Sequence, residues 1–422
     1  MLQAGNRRVS ARAKRNRHGG WSIARSWNPS VTPAPEAAMS RVGSRYSRLK
    51  HRVPRWARGV AKSLYWRSLS SEGKRALIAS RFQAQGTWCE RLGSPLYAHL
   101  LRSAARDIEE GGPTWAVLSD RESAPVGADE VLPLRLMAGV HRLVLEGCAA
   151  DLSRHYPSAG GAATEDAWPS FVRVVSERTS ELREAMQRVV QTNEPGRSAA
   201  LLGGFLLAGR GTEGRLRLLE LGASAGLNLR WDLYRYEAGK AAWGDPESPV
   251  RLRDLYLSGV PPFHLPAHVV ERAGCDLNPL DPASEEDRLT LRSLIWPDQE
   301  DRLHVLEAAL EVARRTPVRV DREDAADWLA GEIDRRVTGV TTVVFHSFFE
   351  RLADEATRER LDELMTEAGC RATPEAPLAR LRMEWGPDGA DIELTRWPGP
   401  HRAVVAAAGS TGRNIRWLGE GG

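Results

Sequence analysis

The sequence predicts an α/β protein whose sheet is mostly parallel with an antiparallel edge, preceded by a helical domain. Three observations predict this class. Apolar residues recur at helical spacing within residues 71–210. From residue 215 onward, strand-like runs alternate with helical segments, which is the order that produces a parallel sheet. After residue 378 the pattern changes to consecutive strands, which favours an antiparallel edge.

The composition agrees with a folded chain and excludes several classes of protein. Of the 422 residues, 42% are hydrophobic and 27% are charged, proportions that suit globular cores. No apolar run reaches the roughly 20 residues of a membrane span, and the N-terminus lacks the apolar region of a signal peptide. The four cysteines lie far apart without a C-x-x-C pair, so we expect reduced thiols, no zinc site and a cytoplasmic location.

Residues 1–70 are predicted to be a disordered basic arm or a linker. They hold 16 Lys or Arg residues and one acidic residue, Glu36, so their charge of +15 leaves −11 for the rest of the chain. A basic arm would bind nucleic acid or another acidic surface. We favour a linker or an upstream stretch read from a misplaced start codon, with Met39 as the alternative start, because no regular motif is present.

The rest of the chain divides into a helical domain at residues 71–210 and an α/β domain at residues 211–422. In the first, we expect Ser198 to cap a helix that ends at Gly209. In the second, strands are predicted at 216–221, 269–275, 318–320 and 341–345, and helices at 288–295, 302–314 and 356–368. A hairpin insertion is predicted from runs 231–237 and 250–255, and terminal strands from 378–384, 392–397 and 403–407.

The run RLRLLELGASAG at residues 215–226 is the most informative segment. It indicates a strand that ends at Glu220, followed by a tight loop containing Gly222, Ser224 and Gly226. Glycines permit positive φ and a close approach of the backbone to a ligand. The pattern resembles motif I of class I methyltransferases, E-x-G-x-x-x-G after an apolar strand, with Ser224 where many members have glycine. The resemblance implies a Rossmann-like sheet and S-adenosylmethionine held by these four residues.

The same resemblance assigns two further cofactor positions. Class I methyltransferases use an acid at the end of the second strand for the ribose hydroxyls, and Asp276 stands at such a place. The pair Asp324-Ala325 resembles the third-strand motif that meets the adenine. Each has a structural alternative, because Asp276 suits an Asx turn before Pro279 and Asp324 suits a helix N-cap.

Polar residues in three other segments are candidates for binding or chemistry on a substrate. Asn193, Glu194 and Arg197 are expected to line the crevice, with Arg197 as a clamp for a carboxylate. Trp296 is a candidate lid or stacking surface, and His346, after a buried strand, is a candidate general base. The alternatives are ordinary loop chemistry, a helix start after Trp296, and a hydrogen-bonded structural histidine.

A serine esterase is the main rival interpretation of the glycine loop, because the letters also spell G-x-S-x-G. Ser224 would then be the nucleophile, with His346 or His401 as base and Asp324 or Asp327 as the orienting acid. Helices rather than strands precede the loop, and an H-G-G-G segment is missing, so we rank it below the cofactor interpretation. A non-catalytic cofactor-binding protein is the other alternative.

Taken together, these segments resemble an uncharacterised actinobacterial family, known only as domain of unknown function 2332, over roughly residues 80–420. The resemblance is carried by RFQAQG (81–86), TNEPGRSAAL (192–201), LLELGASAGLNL (218–229), WGDPESPV (243–250), GCDLNPLDP (274–282), WPDQEDR (296–302) and VVFHS (343–347). It implies no activity of its own. We therefore predict an S-adenosylmethionine-dependent methyltransferase for a small or medium polar molecule, with no metal and no specific nucleic acid or membrane partner.

Overall fold

The computed structural model describes residues 68–119 and 131–420. The predicted basic arm or linker lies outside them, apart from its last three residues. The first described elements are helices: α1 (Ser71–Arg91), α2 (Pro95–Glu110), α3 (Pro113–Leu118), α4 (Leu132–Leu145), α5 (Ala150–Ser153), α6 (Ala167–Glu177) and α7 (Thr179–Ala185). They pack around a core of their own that includes Phe82, Leu100, Leu136 and Phe171. None of the helices in these ranges is long and apolar enough to cross a membrane.

The next helix, α8 (Arg197–Ala208), packs in a different core, together with the strands that follow it. A Cβ atom at Gly203 would stand 2.1 Å from Trp417 Cζ3, and one at Gly204 would stand 2.4 Å from Leu381 Cδ1. The glycine pair therefore lets α8 lie close against the sheet. The prediction that Ser198 caps this helix is wrong, since Ser198 lies inside it and its hydroxyl donates to Asn228 Oδ1 at 2.7 Å.

Strands and helices then alternate. The strands are β1 (Arg215–Leu221), β2 (Arg235–Ala238), β3 (Ala241–Trp243), β4 (Arg251–Leu252), β5 (Tyr256–Ser258), β6 (His268–Asp276), β7 (Arg319–Arg322), β8 (Thr341–Ser347), β9 (Leu378–Gly386), β10 (Gly389–Trp397), β11 (His401–Ala408) and β12 (Ile415–Trp417). The helices are α9 (Glu285–Ser293), α10 (Glu300–Arg315), α11 (Ala325–Glu332) and α12 (Glu355–Cys370).

Within the described residues, nine strands form one sheet in the order β5-β12-β11-β10-β9-β8-β1-β6-β7. The block β9-β8-β1-β6-β7 is parallel throughout, and β10, β11 and β12 continue it antiparallel. The expected mostly parallel sheet with an antiparallel part is confirmed. β1 lies in the middle of this block. The next two strands along the chain, β6 and β7, lie on one side of it, and the following two, β8 and β9, lie on its other side. The carboxyl ends of these five strands share one edge of the sheet, the carboxyl edge.

Both faces of the sheet are covered, as alternation along β1 shows. Leu216 and Leu218 lie in the core that contains the buried residues of α8 and α10. Leu219 and Leu221 lie in a second core, with buried residues of α11 and α12. Because successive side chains of a strand point to opposite faces, the leucines on both faces of β1 fit a strand buried on both sides.

The segment after β1 differs from the prediction of a strand at 231–237. A short 3₁₀ helix, Asn228–Leu233, replaces its first half, and β2 pairs antiparallel with β3 and parallel with β4. The reason lies in Trp231, which is fully buried and stacks on Phe205 at 4.5 Å and on Trp243 at 5.3 Å between ring centres. The alternation in the sequence comes from aromatic residues buried around a turn.

A buried ion network ties β1 to the end of α11. Arg217 is 1% exposed, donates to the Glu332 main-chain oxygen at 3.0 Å, and forms ion pairs with the carboxylates of Glu332 and Glu271. Glu332 also pairs with Arg319 and Arg335. A charged residue inside the central strand is tolerated because its guanidinium has these anionic partners.

Candidate functional site

The loop after β1 lies at the carboxyl edge, at the point where the strand order reverses. Gly222, Ser224 and Gly226 have φ values of 70°, 52° and 65°, so the backbone turns tightly in the left-handed region. Gly222 is exposed, whereas the residues from Ala223 to Gly226 are buried. A Cβ atom at Gly274 of β6 would stand 2.7 Å from Ala223 Cβ, so this glycine admits the loop against β6. Sequence reasoning missed the role of Gly274.

Asp276, the last residue of β6, contacts this loop. Its Oδ2 accepts a hydrogen bond from the Ser224 N–H at 2.9 Å. Its Oδ1 accepts from the Asn278 N–H at 2.8 Å, which makes the expected Asx turn, and from Gln191 Nε2 at 2.7 Å. The two interpretations of Asp276 are therefore compatible, and Gln191 is a contact that the sequence did not indicate.

Glu220 lies buried beneath the loop, with 2% of its surface exposed. Its Oε2 has no hydrogen-bond partner among the described residues. Burial, and then the charge of Asp276, raise the pKa of Glu220 well above its ordinary value, against the opposing charges of Arg197 and Arg230. The site therefore holds a buried carboxyl group whose Oε2 has no described partner, and burial favours its protonated form.

Two residues of the segment before α8 hold neighbouring structure in place. Asn193 Oδ1 accepts from the Leu227 N–H at 2.9 Å and so fixes the end of the glycine loop. Glu194 forms a buried ion pair with Arg302 of α10 at 2.5 Å. The structure brings both near the loop, but Glu194 is already neutralised by its partner.

Arg197 stands at the start of α8 and faces the loop after β8. Its guanidinium donates to Ser347 Oγ at 3.3 Å, to the Ser410 main-chain oxygen at 3.1 Å and to Thr192. Its Cζ lies 4.8 Å from the centre of the Phe348 ring. Burial lowers the pKa of Arg197 to about 10, which leaves it charged at neutral pH.

His346 is buried near the end of β8 and is paired with Glu384 of β9. Nδ1 lies 2.9 Å from Glu384 Oε1, which also accepts from the N–H groups of Phe349 (2.8 Å) and Glu350 (3.1 Å). Burial lowers the pKa of His346, which favours the neutral ring with Nδ1–H donating to Glu384. Nε2 has no hydrogen-bond partner among the described residues, and Glu350 Oε1 lies 3.8 Å from it. This arrangement holds the loop after β8.

His346 and Glu220 lie on opposite faces of the sheet. Glu220 pairs with Phe345, so these two side chains share a face, and the next residue points the other way. The role of His346 as a base stays a prediction, and any acceptor must reach it around the end of β8.

Asp324, Ala325 and Trp296 occupy positions that fit their structural alternatives. Asp324 Oδ1 accepts from the N–H groups of Ala326 (2.8 Å) and Asp327 (3.4 Å), so it caps α11, and Ala325 is the first residue of that helix. Trp296 packs against the core of the first helices, 6.2 Å from Tyr97 between ring centres. Trp296 also contacts Arg302, whose Cζ lies 5.7 Å from the centre of the Trp296 ring.

Asp298, next to Trp296, caps α2 across a long sequence separation. Its carboxylate accepts from the Leu96 N–H at 2.9 Å and from Ser94 Oγ at 2.5 Å, whereas Ser94 itself caps nothing. We expect Asp298→Ala to lower the free energy of unfolding by about 1–2 kcal/mol, the usual cost of a lost cap. Urea denaturation measures this, with the exposed Glu300→Ala as control; equal stability of the two variants would contradict it.

The geometry disfavours the esterase interpretation. Ser224 Oγ is buried without a described partner, and its N–H is tied to Asp276. His401 as its base is wrong, because His401 pairs with Arg396 near the end of β10, at the amino edge of the parallel block, opposite the glycine loop. His346 is occupied by Glu384. In the described ranges no group of three His, Cys, Asp or Glu side chains is arranged to hold a metal ion.

Comparison with known proteins gives one match. A family model described as "Uncharacterized protein conserved in bacteria (DUF2332)" matches residues 79–417, which run from α1 to the end of β12. No curated protein and no solved structure matches the chain. The match therefore contains every candidate site residue and names no activity.

Proposed function

Because the chain belongs to the DUF2332 family of uncharacterized bacterial proteins, whose description states no activity, we propose its function from the site itself. We propose that it is an S-adenosylmethionine-dependent methyltransferase with a Rossmann-like sheet that acts on a small or medium polar molecule. When bound, the cofactor supplies a methyl group on a positively charged sulfur; on transfer, the bonding electron pair stays on sulfur and the acceptor releases its proton.

The observation that carries this proposal is the position of the glycine loop in the strand order. Numbered along the chain, β1, β6, β7, β8 and β9 lie in the order 3-2-1-4-5, that of the classic doubly wound sheet. Ligands of such sheets bind outside the carboxyl ends of the strands where the order reverses. The loop with Gly222 and Gly226 follows β1 at this point, and Asp276 follows the adjacent strand.

The residues at this point fit a nucleoside joined to an amino acid. Asp276 Oδ2 accepts one hydrogen bond and keeps a lone pair for a ribose hydroxyl. Glu220 Oε2, buried without a described partner, suits a polar group of the amino-acid end. Gly222 is exposed and lets the backbone approach the ligand. Asn193 keeps the loop in this shape through the Leu227 N–H.

Calorimetric titration of the full-length protein with S-adenosylmethionine and S-adenosylhomocysteine tests the proposal. We expect micromolar dissociation constants, weakened at least tenfold by Asp276→Ala because the ribose contact and the loop anchor are both lost. The exposed Asp388→Ala, in the β9–β10 turn, is the control and should bind like the wild type. Absence of binding to protein that circular dichroism shows to be folded would refute the proposal. Binding of S-adenosylmethionine without methyl transfer to any acceptor would favour the alternative of a non-catalytic cofactor-binding protein.

A further inference from the structure

Aromatic side chains line the carboxyl edge of the sheet beside the proposed cofactor loop. Trp88 of α1 meets Trp385 of β9 at 6.2 Å between ring centres, and Trp385 meets Phe348 at 4.9 Å. We name these three residues the aromatic wall. Trp88 is 40% exposed and Trp385 is 42% exposed, although they touch each other. Large indole surfaces that stay open beside a site leave apolar area for a ligand.

The aromatic wall lies on the same face of the sheet as Glu220. Along β9, Leu381 and Met383 point into the core that contains Phe345, and Trp385 continues their alternation. Glu220 pairs with Phe345 and shares that face. The wall is therefore adjacent to the point where the strand order reverses, on the side where the carboxyl group of Glu220 is buried.

The backbone is strained to present one member of the wall. Phe348 has φ of 54°, a conformation that is unfavourable for a bulky residue. The Phe348 N–H donates to the Met383 main-chain oxygen at 2.8 Å, and Glu384 accepts from the next two N–H groups. Strain of this kind persists where the surrounding contacts impose it, and it concentrates at ligand sites.

The guanidinium of Arg197 borders the wall and lacks an anionic partner. It lies over the Phe348 ring, and its hydrogen bonds go to Ser347, Thr192 and the Ser410 main-chain oxygen, which are all neutral acceptors. None of the ion pairs among the described residues includes it, although the charges of Glu194, Glu220 and Glu384 act on it at longer range and favour its charged form. Glu194 and Glu384 are themselves paired with Arg302 and His346. A desolvated cation of this kind is stabilised by an anion from a ligand.

From these observations we infer the class of the acceptor: a planar aromatic acid, whose ring packs on the aromatic wall and whose acidic group binds Arg197. The inference rests on the proposed function, since it names the second substrate of that site. Arg197 repels a cationic group, so the site favours an anionic acceptor over an amine or a quaternary ammonium compound. A planar ring can stack on an indole face with an offset and makes closer contact there than a puckered ring, so the wall favours planar rings.

Four probes separate the contributions of ring and acid. Full-length protein in saturating S-adenosylhomocysteine is titrated with 4-hydroxybenzoate, 4-hydroxybenzamide, cyclohexanecarboxylate and cyclohexanecarboxamide. We expect 4-hydroxybenzoate to bind at least tenfold more tightly than each of the others. Equal affinities, or no binding of any probe to protein that binds the cofactor product, would overturn the inference while the proposed function stands. Failure of S-adenosylhomocysteine itself to bind would instead be the failure of the proposed function.

Matched variants locate the site. Trp385→Leu and Arg197→Gln should each weaken 4-hydroxybenzoate at least tenfold, whereas Trp168→Leu and Arg402→Gln, remote from the wall, should not. Trp88→Leu, on the surface of α1, repeats the test where Trp385→Leu fails to fold. If Arg197→Gln weakens S-adenosylhomocysteine and leaves 4-hydroxybenzoate unchanged, the anion is the carboxylate of the cofactor and the inference is refuted.

Discussion

Gly222→Val is expected to weaken the binding of S-adenosylhomocysteine at least a hundredfold, about 2.8 kcal/mol, in a protein that stays folded. Gly222 is the exposed residue of the glycine loop, and its φ of 70° is unfavourable for valine. A Cβ atom there would stand 2.9 Å from Phe349 Cδ2. The substitution therefore places a branched side chain where the ligand must approach, and it also displaces the loop after β8.

The control for this prediction is Gly239→Val, in the turn between β2 and β3. Gly239 has φ of 60°, and a Cβ atom there would have no described atom within 4 Å, so valine brings similar backbone strain without a collision. Gly239→Val should lose on the order of 1–3 kcal/mol of stability through this backbone strain, and Gly222→Val should lose more because its side chain also meets Phe349. Calorimetric titration should find binding reduced in Gly222→Val alone. Unchanged binding in Gly222→Val would remove the loop from the proposed site.

Gly226→Val is less informative because its effect is indirect. A Cβ atom at Gly226 would meet Arg230 Nη1 at 3.2 Å and Val320 Cγ2 at 3.3 Å, in the interior of the protein. Arg230 also donates to the Gly226 main-chain oxygen. A substitution at Gly226 would therefore disturb the packing beneath the loop, and lost binding would not show where the ligand sits.

Glu332→Gln is expected to lower the free energy of unfolding by about 3 kcal/mol at pH 7. Arg217 is buried, and without the Glu332 carboxylate its charge would keep one anionic partner, Glu271. Urea denaturation measures the loss. Glu363→Gln is the control, because Glu363 pairs with Arg360 at the surface, where such pairs contribute at most about 1 kcal/mol. Similar small losses in both variants would mean that the buried network adds little.

The same comparison has a predicted pH dependence. Burial alone would raise the pKa of Glu332, but the hydrogen bond from Arg319 and the charges of Arg319, Arg217 and Arg335 outweigh it, so the pKa lies below its ordinary value. The stability from this carboxylate is therefore present above the unfolded pKa, about 4.3, and is lost as the pH falls through the lower folded value. The difference between wild type and Glu332→Gln should shrink in acid; a constant difference down to about pH 3 would contradict this.

The parallel part of the sheet was predictable because its signal is local. The strands at 216–221 and 341–345 are short runs rich in leucine, or in valine and phenylalanine, and both are buried on both faces as such runs indicate. The turn at Trp231 was not predictable, because the alternation of its buried aromatic residues matches that of a strand. β5 and β12 were not predicted either. Each has only three residues and is recognisable as a strand only from its pairing with another strand.

Some residues of the candidate site were predictable from local sequence patterns, and others were not. Glu220, Gly222, Ser224 and Asp276 were found from a pattern of residue types at the ends of two predicted strands, and the structure brings them together. Gln191 and Glu384 were missed because a lone Gln in a loop and a Glu near the end of a strand carry no local signal. Trp88 and Trp385, nearly 300 residues apart, become neighbours only once α1 meets β9.

The pairing of β5 with β12 has a consequence for how the chain folds. Ile415 lies in register with Tyr256, and its N–H donates to the Leu255 main-chain oxygen at 2.7 Å, across 159 residues. Contacts between distant segments form slowly, because the loop between them must be closed first. During synthesis, the first helices can fold from nearby contacts, whereas β5 waits unpaired until residue 417 has left the ribosome. We expect this margin of the sheet to be the last part to gain protection from hydrogen exchange, and to be the segment that a chaperone must shield.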